Sequence, residues 1–328
     1  MTPEHEPVMP EQVIALLTEN GAGGPGSVIV DCTLGLGGYS ERILRAFPDA
    51  RVRALDRDRA AVALAEARLA EYGSRFEARH ANFGDMETAL TETGWTEIRT
   101  EVDEKTRFGA FVFDLGVSNM QLTEAERGFS FQNDGPLDMR MDPGTGRTAA
   151  EVLETLSAQD MAEVFWLYGE ERHSRRIAER IEENRRKGLS VRTTGDLTAL
   201  IRGVLPAPVQ RKMGTHPARR VFQALRIYVN DELNELEAGL ASARRLSEPG
   251  TLVIAVSYHS LEDRIVKHTF RAWEREEREG FVLTGHPLLP SAEEIEKNFK
   301  ARSAKLRAFR FAAKGSARRS RKESERKK

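Results

Sequence analysis

Apolar positions along the chain follow two rhythms. Short runs that are almost wholly apolar, or that alternate, read as strands: "SVIVD" (27–31), "RVRALDRD" (51–58, ending as a strand at Asp56), "RFEARHANF" (75–83) and "FGAFVFDLG" (108–116). Between them the spacing changes to that of helices. Ile43, Leu44 and Phe47 follow Ser40, which is placed to cap a helix, and Val62, Ala65, Leu69 and Tyr72 mark a helix over Asp58–Tyr72. A short helix over Met86–Thr93 and a polar stretch to Arg107 lead into the fourth strand. Strands separated by helices of this length predict βαβ units and a parallel sheet buried on both faces.

The alternation stops after residue 118. Residues 119 to about 218 hold no convincing strand but three helical patterns: "LSAQDMAEVFWLY", capped by Ser157 with Asp160; "EERHSRRIAERIEENRRKG", stopped by Gly188; and "TTGDLTALIRGVLP", ended by Pro206. From Phe222 the apolar positions 222, 225, 229, 233, 236 and 240 form one stripe and predict a single long helix. A fifth strand in "PGTLVIAVSYHS" (249–260), a helix through Arg264–Trp273, and a closing pair of strands in "FVLTG" and "LRAFRFAA" complete a seven-stranded, doubly wound, mostly parallel α/β sheet. The expected organisation is a sheet domain from 1–118 and 219–313, an inserted all-helical domain from 119–218, and a basic tail from 314–328.

Composition narrows the class. The chain has 328 residues, is 40% hydrophobic and 31% charged, and carries a net charge of -1. That suits a soluble protein with a sizeable core. No run of about 18 apolar residues is present and the N-terminus lacks an apolar signal core, so neither a membrane span nor a secretory leader is expected. Cys32 is the only cysteine, which precludes an internal disulfide, fits a reducing cytoplasm, and reads as a small buried residue. The charge is unevenly spread: the tail "KGSARRSRKESERKK" holds eight Lys/Arg and two Glu, leaving the preceding residues at -7. Such a tail cannot fold alone, but it can lie along phosphates.

Candidate chemistry gathers at the strand ends. The first strand leaves through "TLGLGGYS" (33–40), where glycine gives conformational freedom or close approach of a ligand to backbone. Asp56 closes the next strand 21 residues after Gly35, where its carboxylate can accept both hydroxyls of an adenosine ribose. Nicotinamide dinucleotides and S-adenosyl-L-methionine both carry that ribose. A dinucleotide fingerprint needs a third glycine, but Ser40 stands at its position, and Tyr39 would crowd a diphosphate. The loop therefore favours S-adenosylmethionine. Phe83 offers a flat apolar face for an adenine, Asp114 ends the fourth strand as an acid that packing does not explain, and Gln121 lies seven residues beyond it.

These stretches, with "DCTLGLGGYSERIL", "ERGFSFQNDGPLDMRMD", "HPARRVFQALRIYVNDEL" and "SYHSLEDRIVK", resemble the bacterial small-subunit ribosomal RNA cytosine-N4 methyltransferase family, the RsmH or MraW type. The resemblance runs from about His5 to Phe311. It implies a class I, Rossmann-like methyltransferase domain with an inserted helical domain, S-adenosyl-L-methionine as donor, and a cytosine N4 in the decoding region of 16S rRNA as acceptor. It places cofactor contacts at Gly37, Gly38, Tyr39, Asp56, Phe83, Asp114 and Gln121. Two departures stand out: Tyr39 occupies the usual place of a His, and Asn119-Met120-Gln121 replaces Ser-Pro-Gln.

The cytosine exocyclic amine is a poor nucleophile because its lone pair is delocalised into the ring, so a group that accepts its N–H would help it react. Many amino methyltransferases carry an Asp/Asn-Pro-Pro-aromatic motif after the fourth strand; this chain has "DLGVS" there. Asp114 is the expected group nearest the reaction. Asp138, in the loop "DGPLDMRMD", and His259 stand second, against simpler roles in a salt bridge with Arg140 and in capping a helix with Ser260. The base must be single-stranded or turned out to reach a buried methyl, and Phe129 and Phe131 of "GFSF" are candidates to stack on it, or anchors of the insertion. Residues 202–226 hold Arg202, Arg211, Lys212, Arg219, Arg220 and Arg226 with no Asp or Glu, a pattern that suits RNA phosphates. No His/Cys/Asp cluster has metal-ligand spacing. The expected partner is 16S rRNA in the small subunit, with no membrane and no DNA, and a homodimer is left open. A nicotinamide-dependent oxidoreductase, a non-catalytic RNA-binding assembly factor and a methyltransferase acting on other RNA or DNA are the competing readings.

Overall fold

The computed structural model of the protein describes residues 6–91, 107–212 and 216–313. The end of the helix expected over Met86–Thr93, the polar stretch after it, and the tail from 314 lie outside the described residues. The chain divides into two compact units, one from Met1–Gly116 with Leu233–Lys328, the other from Val117–Glu232.

The first unit is an α/β sheet of seven strands: β1 (Ser27–Asp31), β2 (Arg51–Asp56), β3 (Phe76–His80), β4 (Arg107–Asp114), β5 (Leu252–Ser257), β6 (Gly280–Val282) and β7 (Lys305–Phe311). Their order is β3-β2-β1-β4-β5-β7-β6. The first five run parallel, and β7 is antiparallel to both β5 and β6. Every residue of β1 and β5 is buried, as expected of parallel strands covered on both faces. Side chains alternate across the sheet: Ile29, Val52, Val112 and Ile254 enter one core cluster, while Val28, Val30, Phe111 and Val253 enter another. The strand order reverses direction between β1 and β4, which is where an open sheet of this kind has its ligand crevice. The expected doubly wound, mostly parallel sheet is thus the observed one.

Three local expectations differ from the structure. Ser40 does not cap the helix after β1. That helix is Gly38–Ala46, preceded by Gly37 in the left-handed region, and Ser40 is buried inside it. The helix expected to reach Tyr72 ends at Arg68 and gives way to a 3-10 stretch, Ala70–Arg75, broken by Gly73 at positive φ. The long helix predicted from Phe222 is two helices, Arg219–Asn230 and Glu232–Leu246. Asp231 separates them at φ 51, and its N–H donates back to the last carbonyls. A single left-handed residue leaves the apolar stripe almost in phase, so periodicity alone does not register it.

The second unit is helical. Its helices Ala149–Thr155 and Thr194–Val204 each begin with a reciprocal capping box, and Ser157 caps Ala158–Gly169 as its spacing predicts. Their apolar faces close on Phe129, Leu137, Met139 and Phe165. The loop "DMRM" inside this core has Met139 at φ 64. Buried Asn230 holds it: Asn230 Nδ2 donates to the Met139 carbonyl at 2.7 Å, and Oδ1 accepts from the Met141 N–H at 2.7 Å. Asn230→Leu leaves two buried backbone groups unpaired. Chemical denaturation should show it less stable by about 2–4 kcal/mol; an unchanged midpoint would contradict this role.

Candidate active site

The glycine loop is shaped by the strand ends beneath it. Leu34 N–H donates to the Leu55 carbonyl at 2.9 Å, and Gly37 N–H closes a turn on the Leu34 carbonyl at 2.8 Å. Gly35 and Gly37 both adopt positive φ, 50 and 82. At Gly37 an added Cβ would also lie 2.9 Å from Leu69, whereas at Gly35 it would meet open space. Asp56 is tied to this loop. Its Oδ2 accepts from Gly35 N–H at 2.7 Å and its Oδ1 from Asp58 N–H at 2.8 Å. Each oxygen keeps a further lone pair. Gly38 opens the following helix. Tyr39 is buried and its hydroxyl donates to the Val8 carbonyl, so only its backbone remains to serve a ligand.

Asp31, Asp56 and Asp114 are the last residues of β1, β2 and β4. Those strands are neighbours in the sheet, in the order β2-β1-β4, so three carboxylates line one edge. Asp31 accepts from Ser40 Oγ at 2.7 Å and from Thr33 N–H at 3.2 Å. Asp114 N–H donates to Thr33 Oγ1 at 2.7 Å, and Asp114 Oδ1 accepts from Tyr258 Oη at 2.6 Å. Burial pushes Asp31 up to about 6 and Asp114 up to about 7, against the hydrogen bonds that favour their ionised forms. Asp56 is raised for the same first reason. The charge of Asp56 raises Asp31 further, and that of Asp31 raises Asp114. Lys300 is lowered to about 8 by burial, with Asp114 acting in the opposite sense. Among the described residues, three acids against the one lysine Lys300 make the edge unsuited to a diphosphate.

The remaining candidates fall in several places. Phe83 follows β3 in the sheet unit and meets Phe113 edge-on at 5.7 Å. His259 caps the helix Ser260–Arg275 in a capping box with Glu262, so the simpler role is the one its side chain performs. Gln121 belongs to the helical unit, where its side chain closes a capping box on Ser118 N–H at 3.0 Å. Asp138 has both oxygens on the Arg140 guanidinium at 2.8 Å, the internal ion pair weighed against catalysis. Phe129 is buried in the helical core. Phe131 stacks on His216 at 4.5 Å and lines a groove of about 330 Å³ with Asn133, Thr198 and Arg202. Arg226 is paired bidentately with Glu232, whereas Arg211, Lys212, Arg219 and Arg220 are exposed. Asp31 and Tyr258 went unnoticed in the sequence. The available signal was that "VIVD" ends on an acid just as β2 and β4 do.

Residues 2–312 match the model of the MraW methylase family. The chain belongs to that family. Two MraW relatives, each called ribosomal RNA small subunit methyltransferase H, come from Nocardioides sp. and Thermobifida fusca. The first is 44% identical over 96% of this chain and 99% of its own length, the second 44% over 93% of each. A third of the same description, from Cyanothece sp., is 44% identical over 92% of this chain and 93% of its own. Among solved structures, a putative rRNA-methylase from Clostridium thermocellum aligns over 93% of this chain and 96% of its own at a TM-score of 0.41 and 11% identity. Among the described residues of this MraW methylase, no helix is long and apolar enough to cross a membrane.

Carboxyl carbon NMR of the ligand-free methylase should find two aspartates titrating near about 6 and about 7. Asp114→Asn should remove the upper one. Both values lie above those of the unfolded chain, so the folded state binds more protons from about pH 4 to about pH 7, and this contribution to stability falls as pH rises through that window. The Asp114→Asn profile should be flatter there.

Proposed function

We propose that this MraW methylase transfers a methyl group from S-adenosyl-L-methionine to the N4 amine of a cytidine in the decoding region of 16S rRNA. The observation that carries the donor half is the row of three acids, Asp31 buried and Asp56 and Asp114 half-buried, at the ends of β1, β2 and β4. Bound S-adenosylmethionine would supply a methyl on a positively charged sulfur, next to an ammonium and a ribose diol. Asp56 would accept from the ribose hydroxyls, Phe83 would face the adenine, and the open backbone at Gly35 would admit the ligand closely. Asp114 is the group we place at the reaction, with Oδ1 held by Tyr258 and Oδ2 left for the cation. Asp138 and His259 are occupied by Arg140 and Glu262. The amine would take the methyl as its bond to the donor sulfur breaks and the sulfur leaves as a neutral thioether; the methylated nitrogen, made acidic, would release its proton to solvent, so orientation of the amine by Asp114 matters more than a strong base.

The acceptor half rests on the family and on the helical unit. The relatives' names specify small-subunit ribosomal RNA. Arg211, Lys212, Arg219 and Arg220 are exposed cations suited to phosphate, and the groove beside Phe131 has the buried hydroxyl of Thr198, without a hydrogen-bond partner among the described residues, and Arg202 at its wall.

Incubating unmodified small subunits with methyl-labelled donor, then mapping the label by mass, tests the reading: one N4-methylated cytidine of 16S rRNA is expected, and label on another base would contradict it. Asp56→Ala should weaken donor binding by about 10–100-fold in calorimetry, the loss of charge-assisted hydrogen bonds. Neutralising Arg211, Lys212, Arg219 and Arg220 together should reduce the salt dependence of RNA binding by roughly 3 in log–log slope.

A further inference from the structure

Asp114 presents two different oxygens. Its Oδ1 accepts from the Tyr258 hydroxyl at 2.6 Å, and its backbone N–H is fixed on Thr33 Oγ1 at 2.7 Å. No protein partner for Oδ2 is found among the described residues. The phenol is itself held in place. Tyr258 follows the last residue of β5, and its N–H donates to Glu262 Oε2 at 2.8 Å. Its ring lies against Gly116, where an added Cβ would stand 3.6 Å from Cδ2. Gly116 is at φ 100, a conformation that favours glycine, so the backbone beside the ring is held in a form other residues rarely adopt.

We propose that Tyr258 is a positioning residue for the methyl donor: its hydroxyl fills one oxygen of Asp114 and draws the carboxylate toward its ionised form, so that the other oxygen meets the donor's positive charge. The proposal rests on reading the crevice as an S-adenosylmethionine site. A phenol O–H donates to the ionised acid and loses most of that bond when the acid is protonated. It therefore works against burial, the first cause that holds the Asp114 proton on. Asp31 and Glu262 face Asp114 and also favour its protonated form, while Lys300 favours the ionised one. Tyr39 lies in the same field, but its hydroxyl is engaged by Val8. Among these groups only Tyr258 touches the carboxylate through a side-chain hydrogen bond.

Tyr258→Phe keeps the ring and removes the hydroxyl, which makes it the informative variant. Calorimetric titration of the full-length protein with S-adenosylmethionine, from about pH 6 to about pH 9, reads the effect. In the unchanged protein, affinity should rise with pH and level off above about 7, as Asp114 ionises. In Tyr258→Phe the rise should move up by about one pH unit, with affinity several-fold weaker at neutral pH and recovered at the alkaline end. Carboxyl carbon NMR of the donor-free variant should show the Asp114 resonance moving up in parallel. Asp114→Asn should remove the step near 7, leaving a shallower dependence. Equal weakening at every pH would assign Tyr258 a packing role and overturn the proposal, as would an unmoved profile. Absence of donor binding by the unchanged protein would instead overturn the S-adenosylmethionine reading, and this proposal with it.

Discussion

Three carboxylates side by side at the strand ends, Asp31 buried and Asp56 and Asp114 half-buried, are the constraint around which the sheet unit is arranged. An acid removed from water costs free energy unless it is hydrogen-bonded or met by a cation, and neighbouring acids add to that cost. Much of the local structure around β1, β2 and β4 answers that demand. Ser40 enters its helix buried in order to reach Asp31, and Asp56 takes the N–H groups of Gly35 and Asp58. Tyr258 donates to Asp114. Each bond satisfies part of a carboxylate and none neutralises it, which is why Asp31 and Asp114 stay raised. A site left in this state gains most from a ligand that brings positive charge.

The glycine loop follows from the same arrangement. Its turn has to bring Gly35 N–H onto Asp56 while Leu34 N–H reaches the Leu55 carbonyl, and positive φ at two positions achieves that. A diphosphate-binding loop meets its ligand with helix N–H groups and the positive end of the helix. Here an acid has taken the loop N–H. The helical unit supplies the contrasting chemistry: exposed cations on helices Ala207–Lys212 and Arg219–Asn230, over a core latched by Asn230. Acids and exposed cations thereby gather in separate units of one chain, an arrangement that the proposed cationic donor and anionic acceptor would use.

The sheet was legible because parallel strands announce themselves as short, wholly apolar runs, and the strand-ending acids Asp56 and Asp114 stood out against them. Asp31 was equally visible as the end of the strand "SVIVD" but was given no role of its own. Ser40 was misplaced because a Ser before an apolar stretch signals a cap locally, whereas its actual partner, Asp31, is fixed by tertiary structure. The break at Asp231 escaped because one left-handed residue barely disturbs the phase of an apolar stripe. Tyr258 could not have been inferred from spacing: its meeting with Asp114 joins residues 144 apart through the pairing of β4 with β5. The roles of Asp138 and His259 turned on which neighbour each side chain reaches, which motif spacing alone leaves undecided.

Proton release on donor binding tests the central claim most directly. The methylase would be titrated with S-adenosylmethionine near neutral pH in two buffers of different ionisation enthalpy, and the difference in heat read as protons exchanged. If the strand-edge carboxylates hold a cationic donor, uptake should expel protons, because Asp114 at about 7 and Asp31 at about 6 are driven to their ionised forms. Binding with the same heat in both buffers, or no binding of this donor alongside clear uptake of a nicotinamide dinucleotide, would contradict the account.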